Sequence, residues 1–189
     1  MSEKKVNYLA DAWLILLLAL LFGCALAGVQ AGLQPIINQN KLNETLGKVP
    51  ELVPGAVSAE KAMVGEIMAY KGLDADGNVA GWVIPAKGQG FADKIELLLG
   101  LDANAGKITG MYVLDQKETP GLGDKIKSDL AWGQKYVGKS AARTIGLTKA
   151  APTGNEIQAI TGATISSESV TKIVNKYAAD FRGALQGVK

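Results

Sequence analysis

Apolar and polar positions divide the chain into stretches with different periods. From Ala12 to Leu33 it reads AWLILLLALLFGCALAGVQAGL, with no charged residue between Asp11 and Lys41 and with Gln30 as the one polar interruption. These 22 residues span about 33 Å as a helix, enough for a hydrocarbon core of roughly 30 Å. A core helix of a soluble domain carries a polar face, which this stretch lacks, so the pattern predicts a transmembrane helix over 12–33. Tyr8 and Trp13 sit where aromatic residues favour the membrane interface. Leu21-Phe22-Gly23-Cys24 faintly resembles a lipoprotein cleavage box, but apolar residues continue well past Cys24, which reads against cleavage.

Residues 34–60 are punctuated by Pro and Asn and read as a connector, in which Leu42, Leu46 and Val49 line a short helix stopped by Pro50 and Pro54. Beyond it, residues 61–189 suffice for one soluble domain. Two similar turns, Gly72-Leu73-Asp74-Ala75-Asp76-Gly77 and Gly100-Leu101-Asp102-Ala103-Asn104-Ala105-Gly106, are each flanked by β-prone apolar runs. This predicts two hairpins of one antiparallel sheet. The Asp74-x-Asp76-Gly77 run invites comparison with a calcium loop, yet Pro85 stands at the twelfth position, where such a loop needs a Glu side chain. At the C-terminus Val170, Ile173, Val174, Tyr177, Phe181 and Leu185 recur at helical spacing and predict an amphipathic helix, capped by Ser166 or Ser167 with Glu168 in its first turn. The expected fold is α+β: one membrane helix, then a domain of antiparallel hairpins and a C-terminal helix.

Composition sharpens this picture mainly by exclusion. The 189 residues contain no His and one Cys, so no Ser-His-Asp triad, His-ligated metal or thiolate-held iron–sulfur cluster can be built from the chain. Any redox centre must be an organic cofactor. The 20 basic residues are spread among 18 acidic ones, which leaves no electrostatic footprint for nucleic acid. Lys4 and Lys5 precede the apolar stretch and Gln34 to Asn40 follow it without charge, so the positive-inside bias puts segment 1–11 in the cytoplasm and the soluble part on the extracytoplasmic side.

Three stretches carry candidate chemistry. Thr161-Gly162-Ala163-Thr164 lies just ahead of the C-terminal helix, where free backbone N–H groups and a partial positive charge favour a phosphate. Hydroxyl residues there are otherwise ordinary caps. Glu118-Thr119-Pro120-Gly121-Leu122-Gly123 places Pro then Gly at the centre of a type II turn and lets backbone approach a flat ligand. Lys87-Gly88-Gln89-Gly90-Phe91 has the same permissive composition, and for both the plain alternative is a surface turn.

One membrane helix combined with ETPGLG at 118–123 and TGAT at 161–164 resembles RnfG, the FMN-binding component of the Rnf electron-transport complex, over essentially the whole chain. The resemblance implies a membrane-anchored flavoprotein in the cell inner membrane that relays electrons between other subunits of a pump coupling ferredoxin:NAD electron flow to Na⁺ or H⁺ translocation. It implies FMN joined through its phosphate to Thr164 by a flavin transferase, with Thr161, Gly162, Ala163, Ser166 and Ser167 around the attachment and residues 118–123 against the ring. The family pattern often has an acidic residue where this chain has Gln158, with Glu156 two residues earlier. The alternatives are NqrC of the Na⁺-translocating NADH:quinone oxidoreductase, which shares the motif type, a membrane-anchored scaffold without flavin, and a binding protein for a reversible ligand.

Overall fold

The computed structural model describes residues 8–187, with side chains described from residue 12 onward. Lys4 and Lys5, on which the orientation reading rests, and the Tyr8 side chain lie outside the described residues. The chain divides into two units, 1–43 and 44–189.

The described part of the first unit, residues 8–43, lies in helix α1, Tyr8–Leu52. Its apolar stretch is long and apolar enough to cross a membrane. Trp13, Leu16, Leu20, Phe22, Leu26 and Val29 are all exposed along it, as is Cys24. The expected connector is corrected here: helix continues through Pro35 and Pro50 and stops only after Leu52. A proline inside a helix costs roughly 3 kcal/mol but does not forbid it. Near Pro35, side-chain pairs one turn apart support the helix, Gln34 Nε2 to Asn38 Oδ1 and Gln39 Nε2 to Asn43 Oδ1, each 3.1 Å. At Pro50 the compensation is burial, because Val49, Leu52 and Val53 enter a core.

In the second unit five antiparallel strands form a meander in the order β1-β2-β3-β4-β5: β1 Ser58–Val64, β2 Ile67–Leu73, β3 Val79–Gln89, β4 Lys94–Asp102 and β5 Ile108–Asp115. Both expected hairpins are present as β2–β3 and β4–β5. Asp74 organises the first, its Oδ1 accepting from the N–H groups of Asp76 and Asn78 at 2.9 and 2.8 Å. β1 belongs to a third hairpin, and Lys87 to Gln89 belong to β3 and not to a turn. Short helices α2 (Lys125–Ser128) and α3 (Leu130–Gln134) and the parallel pair β6 (Gly146–Thr148) and β7 (Glu156–Gln158) then lead to α4, Thr164–Gly187.

Strand side chains alternate between two cores. Trp82, Ile84, Leu97, Leu99 and Leu101 face Val170, Ile173, Val174, Ala178 and Phe181 of α4. On the other face Tyr70, Val83 and Leu98 pack with Val49, Leu52, Val53 and Ala56. Gly100 and Gly110 are cross-strand partners beneath this second contact. A Cβ on Gly100 would lie 2.5 Å from the Leu52 carbonyl oxygen, and one on Gly110 would lie 2.7 Å from Leu52 Cδ2. Thr109 Oγ1 donates to that same carbonyl, an acceptor left over at the helix end.

The apolar stripe expected for α4 is the one observed, with Tyr177 and Leu185 at its half-buried margin. Its start differs. Ser167 N bonds to Ala163 O at 2.9 Å, so the helix begins at Thr164, Ser166 and Ser167 are buried inside its first turn, and Glu168 falls beyond that turn. The serines serve other partners: Ser167 Oγ accepts from Ile160 N and donates to Ala163 O, which fastens the incoming chain to the helix.

Candidate functional site

Two turns of the same construction meet at the start of α4. In the first, Leu122 N bonds to Thr119 O at 3.2 Å and Gly121 has φ +76°, the type II geometry that Pro120-Gly121 predicts. In the second, Ala163 N bonds to Ile160 O at 3.0 Å and Gly162 has φ +82°. A side chain at Gly162 would also meet Leu122 Cδ2, 3.4 Å from the Cβ position. The turns therefore lie in contact range, and glycine in the second is favoured by the backbone conformation.

A third loop, 90–93 between β3 and β4, is tied to both by Glu118. The Glu118 side chain is 4% exposed. Its Oε1 accepts from Phe91 N and Ala92 N at 2.9 and 3.1 Å, and its Oε2 accepts from Ser166 Oγ at 2.6 Å. Gly90 and Gly123 close around this carboxylate, since a Cβ on Gly90 would run into Oε1 and one on Gly123 would lie 2.7 Å from Ser166 Oγ. One acidic side chain thus fastens the β3–β4 loop, the 118–123 loop and the first turn of α4.

Between these parts lies a cleft of about 340 Å³, lined by Phe91, Glu118, Thr119, Leu122, Gly123, Gly162, Ala163, Thr164, Ile165 and Ser166. Nine of these are candidates from sequence, Phe91 as the end of the 87–91 stretch, and the fold brings them together from three separate segments. Pro120 and Gly121 shape the turn without lining the cleft; Thr161 and Ser167 do not line it either. One lining residue is not among the candidates, Ile165, which with Phe91 and Leu122 is exposed, at 56%, 62% and 49%. A large apolar side chain directly after Thr164 is the available signal, and it is visible only once a cleft is known.

Thr164 is the first residue of α4, so the N–H groups of Thr164, Ile165 and Ser166 precede the first intrahelical bond. They supply donors and a partial positive charge beside the Thr164 hydroxyl. On its other side Thr164 lines a second hollow of about 390 Å³, shared with Thr148, Lys149, Glu168, Lys172 and Asn175. Lys172 is paired there with Glu168 at 2.8 Å. The arrangement suits a ligand with an anionic end at Thr164 and a flat apolar body against Phe91, Leu122 and Ile165.

The segment ahead of the site is rigidly held. Trp132 Nε1 donates to Gln158 O at 2.8 Å, and Trp132 packs edge-on against buried Tyr136, with centroids 5.4 Å apart. Burial pushes the Tyr136 phenol above its ordinary range, and its hydroxyl pairs with Thr171 Oγ1 of α4 at 2.8 Å. Glu156 turns to Thr153, whose N–H and hydroxyl hold its carboxyl below the usual range. Neither Glu156 nor Gln158 lines the cleft.

A family model described as the FMN-binding domain matches residues 90–179, the span from the β3–β4 loop to the middle of α4. The G component of the ion-translocating oxidoreductase complex of Methanosarcina acetivorans is 36% identical over 145 residues, covering 72% of this chain and 74% of that protein. The G component of the Na(+)-translocating ferredoxin:NAD(+) oxidoreductase complex of Acetobacterium woodii is 39% identical over 103 residues, 53% of this chain and 48% of that one. Among solved structures, NqrC of Shewanella oneidensis superposes with a TM-score of 0.56 at 19% identity, over 70% of this chain and 72% of that one, a likeness of fold.

Proposed function

Because the chain belongs to the family of G components of ion-translocating oxidoreductase complexes, we propose that it is a single-pass membrane protein relaying electrons through FMN attached covalently to Thr164. The observation that carries this reading is the cleft itself. It joins the 118–123 and 161–164 motifs at a helix N-terminus and falls inside the FMN-binding match.

The residues present fit the group. The N–H groups at the start of α4 and the Thr164 hydroxyl would hold the phosphate, and Phe91, Leu122, Ile165 and the two glycine turns would flank the ring. Bound there, FMN would supply reversible electron acceptance, chemistry that no side chain of a His-free chain with one cysteine offers. A phosphoester to Thr164 makes retention independent of the modest attraction, about 1 kcal/mol or less, between a helix terminus and one exposed negative charge. Thr164 is then an anchor, and a flavin transferase is its partner in maturation. Thr161, which lies off the cleft, is not the attachment point. The α1 apolar stretch anchors the chain, segment 1–11 lies in the cytoplasm and the flavin domain lies on the extracytoplasmic side, where the remaining membrane and peripheral subunits of the complex exchange electrons with it.

The test is the full-length protein produced with a flavin transferase and run on a denaturing gel under ultraviolet light. A fluorescent band is expected for the unaltered chain and for Thr161→Ala, and none for Thr164→Ala. A dark band from the unaltered chain, or fluorescence that survives Thr164→Ala, overturns the assignment.

A further inference from the structure

Glu118 is buried at a position where a neutral group would suffice as a brace. Its three partners, Phe91 N, Ala92 N and Ser166 Oγ, are all uncharged donors. None of the ion pairs among the described residues involves it, and neighbouring Lys117 pairs with Asp93 instead, at 3.2 Å. Burying a carboxyl group without a cation carries a desolvation cost that a glutamine here would largely avoid. The compensation comes from hydrogen bonds and from the N-terminus of α4, reached through Ser166, and it leaves an acidic side chain in the wall of the cleft.

We propose that Glu118 sets the reduction potential of the group in this cleft, holding it low by placing a fixed negative charge beside the site where electrons are added. The proposal rests on the FMN reading and adds a role that the phosphate anchor does not have. Each electron entering the cleft adds negative charge, and a buried carboxylate in the wall makes that addition less favourable. Thr164 fixes where the flavin sits; Glu118, which need not touch it, determines how readily it is reduced. Its acceptor bonds serve this as well, because they hold the carboxylate in one position through the redox cycle.

The experiment uses the full-length, flavin-loaded protein, equilibrated anaerobically with a reference dye of known potential. Glu118→Gln keeps an acceptor for Phe91 N and Ala92 N while removing the charge. Its two-electron exchange constant is expected to shift roughly tenfold toward reduced flavin, an upward move of about 30 mV. Glu118→Asp keeps the charge and is expected to stay within about twofold of the unaltered protein. An unchanged or lowered potential in Glu118→Gln overturns the proposal. A fluorescent gel band from the unaltered chain, checked first, separates that result from failure of the FMN reading. If neither variant takes up flavin, the redox-difference infrared spectrum of the unaltered holoprotein decides: carboxylate bands that respond to reduction support the proposal, and flavin and amide bands alone refute it.

Discussion

Replacing Glu118 by alanine removes the side chain that ties the β3–β4 loop, the 118–123 loop and the first turn of α4 together, and the structure lets its cost be worked out. A hydrogen bond to a charged group contributes about 1.5–3 kcal/mol, but the three bonds here do not simply add. Phe91 and Ala92 lie on an exposed loop, so water can reach their N–H groups once the carboxylate is gone. Ser166 Oγ cannot be rehydrated so readily, because the residue is 4% exposed, and a stranded buried hydroxyl costs about 1–3 kcal/mol. The burial cost of the carboxylate, recovered in the mutant, offsets part of this. The expected net loss is about 2–4 kcal/mol for Glu118→Ala and about 1 kcal/mol or less for Glu118→Gln, which keeps the acceptor toward the loop. Urea unfolding followed by the fluorescence of buried Trp82 and Trp132 measures both variants. Amide exchange at Phe91 and Ala92 should accelerate in Glu118→Ala alone. A midpoint for Glu118→Ala indistinguishable from that of the unaltered chain would refute the bridging role.

Three further expectations rest on single contacts. Gly100→Ala places a methyl 2.5 Å from the Leu52 carbonyl oxygen, a backbone atom that cannot swing aside, so it should destabilise by about 1–3 kcal/mol in the same urea assay. Gly162→Ala meets both φ +82° and Leu122, and should lower flavin loading on the denaturing gel, whereas Gly138→Ala, with φ +80° and open space around its Cβ, should lower stability without affecting loading. The Glu156 carboxyl is held low by Thr153, so its contribution to stability is present above its unfolded pKa and is lost as pH falls through the lower folded value. Thr153→Ala should raise that pKa, seen by NMR titration of Glu156, and flatten the acid limb of stability; an unmoved titration would contradict the assignment.

Elements with a strong local signal are legible in the sequence. The apolar run of α1, the Asp74 turn and the stripe of α4 each declare themselves within one segment. The stripe does so because burial of one face repeats at 3.6 residues, the run because it has no polar face, and the turn because its Asp and Gly residues favour local bonding. What escapes depends on contacts between segments. The helix through Pro35 and Pro50 looks broken to local rules, yet the packing of Val49, Leu52 and Val53 against the sheet sustains its end. Gly100, a turn-flanking glycine to a local reading, and its cross-strand partner Gly110 are where backbone comes close, a meaning that glycine inside a strand often has. β6 and β7 are three residues each, too short for any periodicity. At the site, the two glycine turns and the place of Thr164 at the start of α4 are readable because they are set locally. Ser166 and Ser167 resemble caps because hydroxyls near a helix start usually are, and only the fold reveals Glu118 and Ile160 as their partners.

The central claim concerns one oxygen atom, Thr164 Oγ, and intact-mass spectrometry followed by peptide mapping tests it most directly. Protein made with a flavin transferase should carry the mass of one FMN less one water, confined to the peptide containing Thr164 and absent from Thr164→Ala. Bare polypeptide mass in the unaltered chain, or the same added mass on Thr164→Ala, would contradict the account.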